Sequence, residues 1–186
     1  MITMLARLEV SVVIVVDMQP TFLEGCWRSG EVLGRVKFLV EAANLLGVPV
    51  LATEQYSERM GGTDSSLAEL IGGKALDKMS FSCWGVESFN TAFTSLGRKQ
   101  PILVGIETHI CINQTAHQLV SQVQNGVLVC VDAVTARSED RHRIGMERIR
   151  ALGVTPAHTE SLVYEWMRSA SHPQFKDALK LVKKYA

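Results

Sequence analysis

Near the N-terminus, the seven residues Val10–Val16 (VSVVIVV) run directly into a carboxylate, Asp17. A segment this short and this rich in β-branched residues reads as a strand. It is apolar almost throughout rather than alternating, as a strand covered on both faces must be. It is far too short to cross a bilayer. Further runs of the same kind occur at Val48–Thr53, Pro101–Gly105, Gly126–Val131 and Gly153–Pro156, with Ala75–Ser80 a weaker sixth.

Helical periodicity fills the intervals. Glu31–Leu46 places Val32, Val36, Leu39, Val40, Ala43 and Leu46 on one stripe and stops at Gly47, with Pro49 just beyond. The spacing also predicts helices over Ile110–Gln124, Arg141–Leu152 and Ser171–Lys184, and shorter ones over Glu87–Leu96 and Ser161–Met167. Buried strands alternating with helices imply an α/β fold with a parallel sheet covered on both faces by right-handed crossovers. No linker, repeat or low-complexity segment interrupts the 186 residues, so one domain is expected over 1–186, with residues 1–8 as an N-terminal extension and Met4 as an alternative start.

Composition narrows the function. Nineteen basic and nineteen acidic residues cancel, giving no electrostatic footprint for nucleic acid or an anionic membrane. A small-molecule substrate is the expected partner. The four cysteines (Cys26, Cys83, Cys111, Cys130) form no CxxC pair, and a chain that is 47% hydrophobic does not need a disulfide framework. The first residues lack the apolar core of a signal peptide, so a cytoplasmic setting is expected.

In an open parallel sheet, ligands bind outside the carboxyl ends of the strands. Three residues there carry chemistry. Asp17 is costly to desolvate unless paired; it reads either as a functional carboxylate or as a loop Asp capping backbone N–H groups. An aspartyl phosphatase nucleophile would want a second Asp two positions on, where Gln19 stands. Lys78, in DKMSFSCW, is either a solvated charge or the partner of Asp17. Cys111, in GIETHICINQTA, is expected at the third position of a helix capped by Thr108, where the helix dipole and Lys78 would favour a thiolate. The other reading for it is a buried structural thiol, as for Cys83 and Cys130. His109 lies two residues before Cys111, where its side chain would point elsewhere. Glu107 and Asp132 either meet a substrate or cap helices. The remaining histidines do not cluster as a metal site.

Asp17, Lys78 and Cys111, each following a strand in that order, make the chain resemble the isochorismatase-like cysteine hydrolase superfamily. The matching pieces are VVIVVDMQ, PVLATEQY, DKMSFSCW, GIETHICINQTA, VDAVTAR and HPQFKDALKLVK. The resemblance implies a three-layer, Rossmann-like fold with a six-stranded parallel sheet in the order 3-2-1-4-5-6. It implies Asp17 as general base, Lys78 as its partner and Cys111 as nucleophile. A cis bond between Ile106 and Glu107 would accompany an oxyanion hole made by the backbone N–H groups of Glu107 and Cys111. Phe22, Gln55, Tyr56, Trp84 and Ile110 would line the substrate pocket, and a homo-oligomer is expected. Nicotinamidases of this superfamily bind a metal through an Asp-x-His pair after the second strand. Gln55 and Ser57 stand there in this chain, so no metal and no cofactor are expected. Hydrolysis of an amide-type C–N bond is the implied activity; a binding or assembly module without turnover, or a redox-sensing thiol, are the alternatives.

Overall fold

A computed structural model describes residues 5–73 and 75–185. Six strands form one parallel sheet: β1 (Ser11–Val16), β2 (Val50–Gln55), β3 (Ala75–Lys78), β4 (Gln100–Ile106), β5 (Leu128–Thr135) and β6 (Thr155–Ala157), in the spatial order β3-β2-β1-β4-β5-β6. The order reverses direction between β1 and β4, which opens a crevice at their carboxyl ends.

Every residue of β1 and β4 is buried, because the sheet is covered twice. Val13 and Val15 point into one layer with Phe38, Leu39 and Val40 of α2 (Ser29–Leu46) and Leu162 and Trp166 of α8 (Thr159–Met167). Val12, Ile14 and Val16 point into the other. There they join Phe89 and Phe93 of α5 (Glu87–Ser95), Leu119 of α6 (Asn113–Val120), and Met146 and Ile149 of α7 (Glu139–Ala151). Burying each such aliphatic side chain contributes about 1.5–3 kcal/mol. Ser11, the polar member of the run, accepts the Trp166 indole N–H at 3.0 Å and donates to the Arg7 carbonyl at 2.7 Å.

The helix over 29–46 ends as its sequence indicates, with Gly47 in the left-handed region (φ 73°). Short helices α1 (Pro20–Leu23), α3 (Ser57–Met60) and α4 (Ser65–Leu70) are too brief to leave a period in the sequence. The last helix, α9, begins at Phe175 rather than Ser171. The expected extension over 1–8 lies in part outside the described residues. Of the rest, Ala6 is buried and its N–H donates to Glu165, while the Arg7 N–H donates to the Gln100 side chain at 2.8 Å.

Strand register sets what meets at the crevice. Val16 is level with Thr53 on one side and Gly105 on the other, and Gln55 is level with Lys78. Gly105 has φ +113°, and a Cβ there would lie 2.2 Å from the Val16 carbonyl oxygen. Only glycine lets β4 approach β1 this closely one residue before Asp17.

Gly105→Ala is therefore expected to lose about 3 kcal/mol or more of unfolding free energy. Gly34→Ala, in α2 with nothing within 4 Å of the added carbon, is expected to gain about 0.5–1 kcal/mol. Urea denaturation midpoints check both.

Candidate active site

Asp17 leaves β1 with φ 53°, a left-handed conformation that Asp adopts more readily than most residues. Its N–H donates to the Thr53 carbonyl at 3.0 Å, and its Oδ1 accepts the Thr53 hydroxyl at 2.8 Å. Its Oδ2 faces Lys78 Nζ at 2.7 Å, with both side chains almost completely buried. Apart from that ion contact, Oδ2 has no hydrogen-bond partner.

Lys78, at the end of β3, is the hub. Its ammonium donates to Gln55 Oε1 at 2.6 Å and to the carbonyls of Ser80 (3.1 Å) and Phe81 (3.2 Å), and it lies 3.8 Å from Cys111 Sγ. Gln55 is itself anchored: its N–H donates to Gln19 Oε1 at 2.7 Å, and Gln19 Nε2 donates to the carbonyls of Gln55 and Gly61. A buried ammonium needs this many acceptors to stay charged.

Cys111 is held differently from expectation. Residues 108–112 form one π-helical turn that leads into α6, with Ile112 N–H donating back five residues to the Glu107 carbonyl at 3.3 Å. Such wide turns concentrate at functional sites. Thr108 is not the N-cap; it is buried, and its hydroxyl meets His142 Nδ1 of α7 at 3.0 Å. The turn is pressed against α7 so closely that a Cβ on Gly145 would sit 2.9 Å from the His109 Cα.

The electrostatics also correct the expectation of a stabilised thiolate. Burial, and then the Asp17 charge, push the Cys111 thiol well above its ordinary range, and Lys78 offsets this only in part. Burial likewise raises the Asp17 carboxyl, against the lowering effects of Lys78 and Thr53. Both shifts favour the proton-bearing forms, the thiol's through burial and the Asp17 charge and the carboxyl's through burial, so the site does not favour a stored thiolate.

Asp17 and Cys111 share a small cleft with Gln55 and Glu107; its apolar walls are Phe22, Phe81, Ile106 and Ile110. The Ile106–Glu107 peptide bond is cis. The Glu107 side chain is bound by the Arg137 N–H and Nε at 3.2 and 3.1 Å. Tyr56 and Trp84 do not line the cleft. The chain turns away through a left-handed conformation at Tyr56 into α3, and Trp84 packs edge-on against Phe93 at 5.7 Å. Phe81 takes the wall position because its own carbonyl is drawn to Lys78. Asp132 caps α8, accepting the Thr159 N–H at 3.0 Å. His109 lies 3.9 Å from Glu107, and burial lowers its proton affinity. Among the described residues, no three His, Cys, Asp or Glu side chains are grouped to hold a metal.

Fold and cleft together define a three-layer α/β protein with a thiol, a carboxylate and an ammonium at its topological switch point. Comparison with known proteins specifies it further. The model of the isochorismatase domain matches residues 11–161, and the chain belongs to the isochorismatase family. A secreted isochorismatase effector, Isc1, of Phytophthora sojae is 34% identical, with 94% of this chain and 85% of the relative covered. Mouse isochorismatase domain-containing protein 2A is 33% identical over 94% of this chain and 84% of its own length. Among solved structures, the MAR1 ribonuclease of Caenorhabditis elegans superimposes with a TM-score of 0.89 at 28% identity, covering 96% and 92% of the two chains. An octameric hydrolase of unknown specificity from Escherichia coli shares the fold at a TM-score of 0.84 and 19% identity, covering 97% of this chain and 95% of its own.

Lys78→Met would leave Asp17 buried without its counter-charge, and is expected to cost about 3–5 kcal/mol at pH 7. The sign with pH follows from a carboxyl whose folded pKa is raised. Its stabilisation is complete below the ordinary carboxylate range and is lost as pH rises through the folded value. The variant should therefore recover stability toward acid pH, as read by urea melts at several pH values. Thr53→Val removes a hydrogen bond to a charged group and is expected to cost about 1.5–3 kcal/mol.

Proposed function

We propose that the protein is a cysteine-dependent hydrolase that cleaves an amide-type C–N bond of a small molecule through a thioester on Cys111. The observation that carries this reading is the placement of one buried ammonium 2.7 Å from Asp17 Oδ2 and 3.8 Å from Cys111 Sγ at the base of an apolar cleft.

Asp17 Oδ2, lacking any hydrogen-bond partner beyond the ion contact with Lys78, is the acceptor for the thiol proton. As the sulfur attacks the carbonyl carbon, that proton passes to Asp17, so a free thiolate never has to be stored. Lys78 holds the carboxylate in place and offsets the charge developing on sulfur. The backbone N–H groups of Glu107 and Cys111, both residues of the cleft wall, are assigned to the carbonyl oxygen as it becomes an oxyanion. Asp17 then returns its proton to the nitrogen of the leaving amine, which departs and leaves the thioester. Asp17 next takes a proton from water as the water oxygen attacks the acyl carbon; the C–S bond then breaks and Asp17 returns that proton to the departing sulfur, which releases the acid and restores the thiol.

Several solved neighbours carry a ribonuclease name, but this chain's neutral charge balance and apolar cleft favour a small molecule over RNA. An intracellular setting is supported by four free cysteines, three of them buried, although the Phytophthora relative is named as secreted. Assembly of several copies is proposed alongside, and the octameric Escherichia coli neighbour is consistent with it. Among the described residues, no helix is long and apolar enough to cross a membrane.

The test is a screen of small amides followed by intact-mass spectrometry of quenched reactions. An acyl adduct on Cys111, absent in Cys111→Ala, is expected, and Asp17→Asn should lower turnover by about 10²–10⁴-fold. Absence of both adduct and turnover across the library would instead leave a binding module with this fold.

A further inference from the structure

The charged side chains that line the cleft, Asp17 and Glu107, are already paired with Lys78 and Arg137. The Lys78 ammonium has three protons and four acceptors within 3.2 Å, and its side chain is fully buried. It therefore has no donor to spare for a substrate carboxylate. Asp17 is paired with it. The Glu107 carboxylate is bound by Arg137. Opposite these groups stand hydrocarbon walls from Phe22, Phe81, Ile106 and Ile110.

Beyond the Glu107 and Cys111 N–H groups assigned to the reacting carbonyl, one side-chain handle remains. Gln55 spends its Oε1 on Lys78 and one amide hydrogen on the Met79 carbonyl at 2.9 Å. Its second amide hydrogen is left for an acceptor on a bound molecule.

Resting on the hydrolase reading above, we propose that the cleft selects uncharged substrates: small neutral amides with an aliphatic or single-ring acyl group carrying at most one hydrogen-bond acceptor for Gln55. A carboxylate entering it would lose water, find no cation among the lining side chains, and approach the Asp17 charge. A cationic substrate would be drawn from water into walls of Phe and Ile, with both carboxylates already engaged. Burying an uncompensated charge is what the site is built to refuse.

The selectivity is measurable without turnover. Cys111 is labelled with three methanethiosulfonates of similar size, bearing hydroxyethyl, sulfonatoethyl or trimethylammonioethyl groups. Each rate is divided by that of the same reagent with 2-mercaptoethanol. The neutral reagent is expected to exceed both charged ones by about 30-fold after this correction. Phe81, at the half-exposed rim (54% exposed), offers a second reading. Phe81→Arg supplies the missing cation and, whatever it does to the absolute rates, should raise the ratio of the sulfonate rate to the hydroxyethyl rate by about 10-fold. Equal corrected rates for the neutral and sulfonate reagents, or a sulfonate-to-hydroxyethyl ratio indifferent to Phe81→Arg, would overturn the proposal.

Turnover of butyramide, succinamate and 4-aminobutyramide then separates the two levels of the account. A preference for succinamate sinks the neutral-substrate inference while leaving the hydrolase intact. Neutral-selective labelling with no amide turnover sinks hydrolysis while leaving the cleft's selectivity standing.

Discussion

The ion pair between Asp17 and Lys78 is the constraint around which the rest of the cleft is arranged. Two opposite charges 2.7 Å apart and almost fully buried do little for stability compared with a hydrocarbon pair of the same volume. The fold therefore carries them for another reason, and it must satisfy them. Thr53, Gln55 and the carbonyls of Ser80 and Phe81 do so. Supplying those acceptors shapes the 79–82 loop and brings Phe81 to the cleft. The carboxylate is left with one oxygen outside the hydrogen-bond network, and the thiol of Cys111 is the acidic group beside it.

Parallel pairing makes this arrangement affordable in geometry. With Val16, Thr53 and Gly105 level in the sheet, residues far apart in the chain arrive together without long, flexible loops. Gly105 allows the closest approach, and the π turn over 108–112 then swings Cys111 over the end of β4. Gly145 and the Thr108–His142 contact clamp that turn from α7. Substrate chemistry would thus rest on strand ends and a packed turn, both rigid by construction.

Much of this was legible in the residues. Continuous apolar runs and 3.6-residue stripes located five strands and the principal helices, because burial on both faces leaves no room for polar alternation. Asp17 and Cys111 stood out by following such runs directly. Other contributors were silent for physical reasons. Thr53 looks like any β-branched strand residue until its hydroxyl is seen on Asp17. Gln19 reads in the sequence only as something other than Asp, yet its side chain anchors Gln55. Phe81 gained its place from a backbone carbonyl, which has no signature in the sequence. The π turn broke the helical period by a single residue, so Thr108 passed for a cap. The direction of the Cys111 shift depends on a sum of burial and charge that only tertiary structure supplies. A helix-start position suggested a thiolate, whereas desolvation and Asp17 outweigh it.

Ultraviolet thiolate absorbance, taken as the difference between the protein and its Cys111→Ser variant across pH, tests the central claim most directly. A thiol held protonated beside its base shows no Cys111 thiolate band through neutral pH. Replacing Asp17 with Asn removes a charge that raises the thiol, so the band should emerge at lower pH in that variant. A thiolate band already present at neutral pH in the unaltered protein, and abolished by Asp17→Asn, would contradict the account. It would mean that the sulfur is stored ionised and that Asp17 is not the group that receives its proton.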